Sequence, residues 1–359
     1  MARLGDICKF QSGGTPSKSE VAYFNGDIPW ITTVALNGGL VSEENAIEWI
    51  TEKAIKESAA KIVPANSVMV GTRVGVGKVA MNKVPMSTSQ DIISLLDIDE
   101  NKWSKEFICK FILGKGTYLN GQARGATIKG IKIETLAGLP LPDIPIEQQC
   151  KIAMVIDAVD NLIAMRKEQL AKLDQLVKSR FIELFGDPIR NTQNRPTTDF
   201  INVVKMQRGF DLPVQDRQQD GDIPVFGSNG ALDRHNVAKV QGGGVITGRS
   251  GTIGKVYYTE GDYWPLNTSL FSVDTHGNNI IYLAYLLQMY DLSRFTEGTG
   301  VPTLNRNKFH DKPIIDVPLN EQEQFAVFVK QTDKSKLAIQ QSLNKLELLK
   351  KSLMQEYFG

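Results

Sequence analysis

The stretch "LAKLDQLVKSRFIELFG", residues 170 to 186, returns as "LNKLELLKKSLMQEYFG", residues 343 to 359. The copies stand 173 positions apart without a gap, nine of the seventeen positions are identical, and Asp174 faces Glu347 like for like. Leu170, Leu173, Val177 and Phe181 recur at three- and four-residue spacings, as do Leu343, Leu346, Leu349 and Leu353, with Lys, Glu and Gln between them. The same stripe begins further upstream in both halves. Ile152, Val155, Val159 and Leu162 follow "PIEQQ" (145–149), and Phe325, Val329 and Ile339 follow "PLNEQ" (318–322). Pro145 and Pro318 mark helix starts, and Gly186 before Asp187-Pro188 marks a stop. The spacing predicts two helices, each roughly 50 to 60 Å long at 1.5 Å per residue. An apolar stripe of that length needs a partner, and the other such stripe in this sequence is its own copy. One helix leaves the first half and the other leaves the second, so pairing along their length makes them antiparallel.

The duplication extends beyond the helices. "GDIPW" (26–30) is echoed by "GDIPV" (221–225), "GTRVGVGKVAM" (71–81) by "TGRSGTIGKVYY" (247–258), and "PMSTSQDIISL" (85–95) by "PLNTSLFSV" (265–273). "ARGATIKGIKI" (123–133) answers "GTGVPTLNRNKF" (298–309) in the same order. Looking for such repeats first fixes the plan: globular unit, helix, globular unit, helix. Short β-type runs such as "SVMVG", "GKVAM", "GGVITG" and "LFSV" alternate with Gly-, Asn- and Pro-rich turns, with a helix or two per unit. The expected fold class is α+β: two mixed α/β domains separated by a long antiparallel two-helix coiled coil, a pseudo-twofold tandem repeat. The expected divisions are 1–145, 146–186, 187–317 and 318–359.

Composition allows this plan, since 42% hydrophobic and 23% charged residues are ordinary for a folded soluble chain. The opening "MARLGDICKF" lacks a signal pattern, and no apolar run reaches membrane-spanning length. Three widely spaced cysteines, Cys8, Cys109 and Cys150, point to reduced thiols in the cytoplasm. The net charge of +1 hides uneven local charge. Residues 58–90, 110–132 and 234–259 carry Lys and Arg but no Asp or Glu. Solvated loops would explain any one such segment; three of them in loops of both halves suit phosphate neutralisation.

No catalytic constellation emerges. "GTRVGVGKV" resembles a phosphate-binding loop, but Gly71 and Gly77 are separated by five residues and Val79 stands where Ser or Thr would bind magnesium. Gly248, Gly254 and Val256 repeat both departures. His235, His276 and His310 have no metal-ligand spacing, and no metal site is expected. "PDIPIEQQCK" (142–151) lacks the lysine of a nuclease motif and coincides with the helix start.

These residues resemble the specificity (S) subunit of type I restriction–modification systems along essentially the whole chain. The carriers are "LGDICKFQSGGTPS" (4–17), "GDIPWIT" (26–32), "GTRVGVGK" with "STSQDIISL", and "PLPDIPIEQQCKIA" leading into the first helix. The resemblance implies two target recognition domains, each reading one half of a split asymmetric DNA site. It implies spacer helices that set the gap and dock methyltransferase subunits, two per chain. Restriction subunits join through the methyltransferase, and S-adenosylmethionine, ATP and Mg belong to partner subunits. It implies no activity in this chain. The second half departs from the pattern: "VVKMQRGFDLP" (203–213) lacks Gly-Gly-Thr-Pro, and Val225 replaces Trp30.

Candidate DNA contacts in the first half are Arg73, Lys78, Gln90, Arg124 and Lys129. In the second they are Arg208, Asn229, Arg249, Lys255, Asn267, Asn305, Arg306 and Lys308. Turn capping is an equal alternative for the amides. Gly13, Gly14 and Thr15 suit a tight turn or amides near a phosphate, and Trp30 suits a core. Two other functions stay open at this point: a nuclease or nucleotide hydrolase using the Gly-rich loops, and a coiled-coil scaffold that reads no DNA.

Overall fold

The computed structural model describes residues 2–125, 129–298 and 302–359. Residues 126–128 and 299–301 of the echoed loops lie outside this description. Four helices organise the chain: α1 (Lys105–Gly114), α2 (Ile146–Phe185), α3 (Ile280–Tyr290) and α4 (Leu319–Phe358). The two long helices start immediately after Pro145 and Pro318 and run 40 residues each. Gly186 ends α2 with φ +77°, a left-handed conformation that costs glycine little.

The chain divides into two compact units. Unit 1 is Met1–Met165 with Leu343–Gly359, and unit 2 is Arg166–Ser342. Each unit therefore holds part of both long helices. Unit 1 contains a five-stranded sheet in the order Lys9–Ser12, Ile92–Leu96, Val68–Gly71, Val79–Asn82 and Leu40–Val41. A second sheet orders Glu48–Ile50, Phe24–Ile31, Met86–Thr88 and Ile62–Val63. Unit 2 repeats the central plan with Lys205–Arg208, Ser269–Asp274, Gly244–Gly248 and Val256–Thr259, beside a three-stranded sheet. The domains are thus mixed α/β, and the fold is the expected tandem repeat.

Within each unit the helix segments run antiparallel. In unit 1, Phe358 packs on Phe107 and Phe111 at ring distances of 5.4 and 6.0 Å, while Lys350 reaches Asp160 at 2.5 Å. In unit 2, Lys336 reaches Asp174 at 2.7 Å, and Phe181 and Phe185 close on Phe325 at 5.5 and 5.6 Å. The buried stripe differs from expectation in its phase. Ile152, Val159, Val177, Phe325, Val329 and Leu343 are buried, but Val155, Leu162 and Leu349 are exposed. Ile156 and Ile163 take the inner positions instead, because in the first part of α2 the stripe also packs on α1 and its sheet. Leu170, Leu173, Ile339, Leu346 and Leu353 are only half-buried. A two-helix layer without a third covering layer cannot enclose them.

One buried glutamine anchors each long helix to its domain. Gln149 donates to Lys102 O and Ile144 O and accepts from the Ser104 amide at 2.9 to 3.0 Å. Gln322 donates to Val317 O and Asn278 Oδ1 and accepts from the Asn279 amide. The shared last glutamine of "PIEQQ" and "PLNEQ" is thus a lock onto the first turn of α1 and α3.

Candidate nucleic-acid interface

In each unit the echoed Gly-rich segment is a hairpin loop. Residues 72–78 join the antiparallel strands Val68–Gly71 and Val79–Asn82, and residues 249–255 join Gly244–Gly248 and Val256–Thr259. A phosphate-binding loop instead passes from strand to helix, so the nucleotide reading lacks its frame. Gly77 and Gly254 hold φ near +80° and +89°, which turns the chain so that Lys78 and Lys255 follow on the exposed rim.

In unit 1 this loop gathers the candidates. The Ile131 amide donates to Thr72 O and the Thr72 amide to Asp91 O, both at 2.8 Å. Arg124 and Gly130 exchange backbone bonds at 2.9 and 3.0 Å. A methyl group placed on Gly130 would sit 3.0 Å from Arg73 Cγ. Arg73, Arg124 and Lys129 therefore lie around one loop cluster, with Gln90 adjoining through Asp91. All four are exposed, as is Lys78.

In unit 2, Arg208, Arg249, Asn305 and Arg306 line one recess of about 330 Å³ together with Glu297. The Leu304 amide donates to Arg249 O at 2.7 Å, and Arg249 Nε donates to Asn267 O at 3.1 Å. The Asn267 amide itself donates to Asp211. Lys255 donates to Asn229 Oδ1 at 3.1 Å, and Lys308 pairs with Glu297 at 2.8 Å. Asn305 caps a short turn by accepting from the Asn307 amide. The amides of unit 2 are thus largely engaged in local positioning. Among the described residues, Arg73, Lys78, Arg124, Lys129, Arg208, Arg249, Lys255 and Arg306 form no ion pair with a carboxylate.

Two expectations need correction. Gly13 and Gly14 form no turn. Their amides donate to Ile92 O and Thr88 O, and a methyl group on either would lie within 2.3 Å of facing backbone or side chain. Close approach of the Thr88–Ser89 and Ala59–Ala60 backbones dictates glycine there, and those amides are not offered to a phosphate. Trp30 is core, as its sequence reading expects, 4% exposed with its indole N–H donating to Gly14 O. The hairpins also align "GTRVGVGK" with "GRSGTIGK" so that Thr72, not Arg73, matches Arg249. Glu297, overlooked in the sequence, matches Arg124, since Glu297–Thr303 and Arg124–Gly130 are the same antiparallel pair. Aligning the repeats residue by residue would have exposed both.

Burial pushes the Cys8 thiol up to about 12 and raises Cys109 further, so neither is a nucleophile at neutral pH. Among the described residues no group of His, Cys, Asp and Glu could hold a metal ion, and no helix is long and apolar enough to cross a membrane.

The chain is 31% identical over 196 residues to the MjaIX specificity subunit of Methanocaldococcus jannaschii, covering 53% of this chain and 45% of the relative. It is 31% identical over 185 residues to the EcoR124I/EcoR124II specificity subunit of Escherichia coli, covering 50% and 45%. The alignments thus span a little under half the length of these curated relatives. The crystal structure of a type I restriction–modification S subunit from M. genitalium shares the fold, with a TM-score of 0.65 at 15% identity, covering 99% of this chain and 95% of that one. A family model described as the type I restriction modification DNA specificity domain matches residues 1–175 and 190–348. The chain belongs to that family.

Proposed function

We propose that this chain is the DNA-recognition subunit of a type I restriction–modification assembly, each α/β domain reading one half of a bipartite, asymmetric site. The observation that carries this reading is the duplicated hairpin, which presents Arg73 and Lys78 in one unit and Arg249 and Lys255 in the other without carboxylate partners. Cations with no carboxylate partner are available to DNA, the lysines to the phosphate backbone and the arginines also to base edges. The long helices set the gap between half-sites and dock methyltransferase subunits, two per chain. Exposed Met154, Met165, Leu176, Ile182, Val327 and Leu337 on those helices support docking. S-adenosylmethionine, ATP and Mg act in the methyltransferase and in a restriction subunit joined through it, and the assembly works in the prokaryotic cytoplasm. This chain contributes targeting without turnover.

Co-expression with a candidate type I methyltransferase, followed by sequencing of modified bases, tests the reading. A bipartite motif with one fixed gap is expected. Inserting seven residues, two helical turns, into both long helices should lengthen the gap and leave the half-sites unchanged. Absence of modification, or an unchanged gap, would refute recognition or the spacer role respectively.

A further inference from the structure

The recess of unit 2 carries more than general affinity. It sits where four segments meet: the end of Lys205–Arg208, the hairpin after Gly244–Gly248, the pair Thr296–Glu297 with Thr303–Leu304, and the turn Arg306–Lys308. Three arginines and one carboxylate line it. Arg249 is held rather than mobile. Its backbone is tied by the Thr268 carbonyl at 2.8 Å and by the Leu304 amide, and its Nε is fixed on Asn267 O. Asn267 is fixed in turn by Asp211. Arg249 Nε thus rests on the Asn267 backbone carbonyl, in a segment that the Asn267 side chain ties to Asp211, and the terminal nitrogens of the guanidinium are left as a fork.

Two observations separate a base reader from a phosphate cradle. Glu297 lines the recess with Oε1 on Lys308, and its other oxygen would accept from an exocyclic amino group where a phosphate could offer no proton. The counterpart positions in unit 1 also exchange character: Ser12 for Arg208, Thr72 for Arg249, Arg124 for Glu297 and Ile133 for Arg306. A phosphate cradle serves any sequence and has no reason to differ between the two units. A reader of different half-sites does.

We infer that this recess reads one G·C base pair in the major groove, with the Arg249 fork donating to guanine O6 and N7 and Glu297 accepting from cytosine N4. Arg208 and Arg306 hold the strand there by their charge. This rests on the DNA-recognition reading and adds to it a base identity and the two residues that set it.

The test uses the full chain assembled with its methyltransferase and a randomised duplex DNA library. The wild-type consensus should contain a G·C pair in one half-site whose preference Arg249→Ala lowers on the order of 10- to 100-fold. The other positions should hold, and the salt dependence of binding should be unchanged. Glu297→Gln should relax the same base pair and no other. Arg249→Lys keeps charge and stem but loses the fork, so it should also relax that pair while binding non-specific duplex as wild type does. This keeps the test decisive if Arg249→Ala folds poorly. Uniform weakening across all sequences, with the salt slope reduced by about one, would mean a phosphate contact and overturn the inference. Relaxation of two different base pairs by the two variants would overturn it as well. A library that yields no consensus for the wild type would sink the recognition reading itself.

Discussion

Single residues carry more of this fold than their conspicuousness in the sequence suggests. Gln149 and Gln322 are about 1% exposed and each satisfies three polar groups at a domain–helix junction. Gln149→Leu and Gln322→Leu leave those partners buried and unpaired, and each should destabilise its unit by about 2 to 3 kcal/mol in urea denaturation. A loss below about 0.5 kcal/mol would argue against a lock. His310 makes a pH prediction with a definite sign. Its Nε2 accepts from the Met206 amide at 3.2 Å, and burial, then Arg306 and Lys205, hold its pKa below the ordinary 6.5. The unfolded chain takes up this proton at a higher pH than the folded one. The stability of unit 2 is therefore present above pH 6.5 and declines as pH falls through and below it. His310→Gln should flatten that decline in denaturation midpoints measured between pH 7.5 and 5.

At the scale of the element, the hairpins are the testable part. Lys78→Ala and Lys255→Ala should each weaken DNA binding evenly across sequences and lower the salt slope by about one, measured by anisotropy titrations at several salt concentrations. A change in base preference would instead make either lysine a reader. These loops also show how far the sequence could be read. The strands on either side were legible, because "SVMVG", "GKVAM" and "GGVITG" are apolar runs bounded by glycine. The long helices were legible from Pro145 and Pro318 onward, because a stripe repeated at three- and four-residue spacing has one stable use. Their inner face was not legible to the residue. Val155 and Ile156 are equally apolar, and only packing on α1 decides between them. The recess escaped for a similar reason. Its residues lie up to 98 positions apart, between Arg208 and Arg306, and strand order alone brings them together.

At the scale of the whole molecule, the division of the long helices matters most. Residues 343–359 belong to unit 1, where Phe358 is 3% exposed among Phe107 and Phe111, and Lys115 donates to its carbonyl. Deleting 343–359 should therefore strip amide protection from unit 1 while unit 2, whose own residues run unbroken from 166 to 342, keeps its protection in hydrogen exchange. Equal loss in both units would contradict the division. The same division sets an order in time. During synthesis at about 5 to 20 residues per second, roughly 10 to 35 s pass between residue 165 and residue 343. Unit 2 receives its last residue at the end of that interval, when the earlier-made unit 1 still lacks Phe358 and the helix turn that carries it. The domain translated first is the one completed last, and until then its open face is exposed to proteases and chaperones.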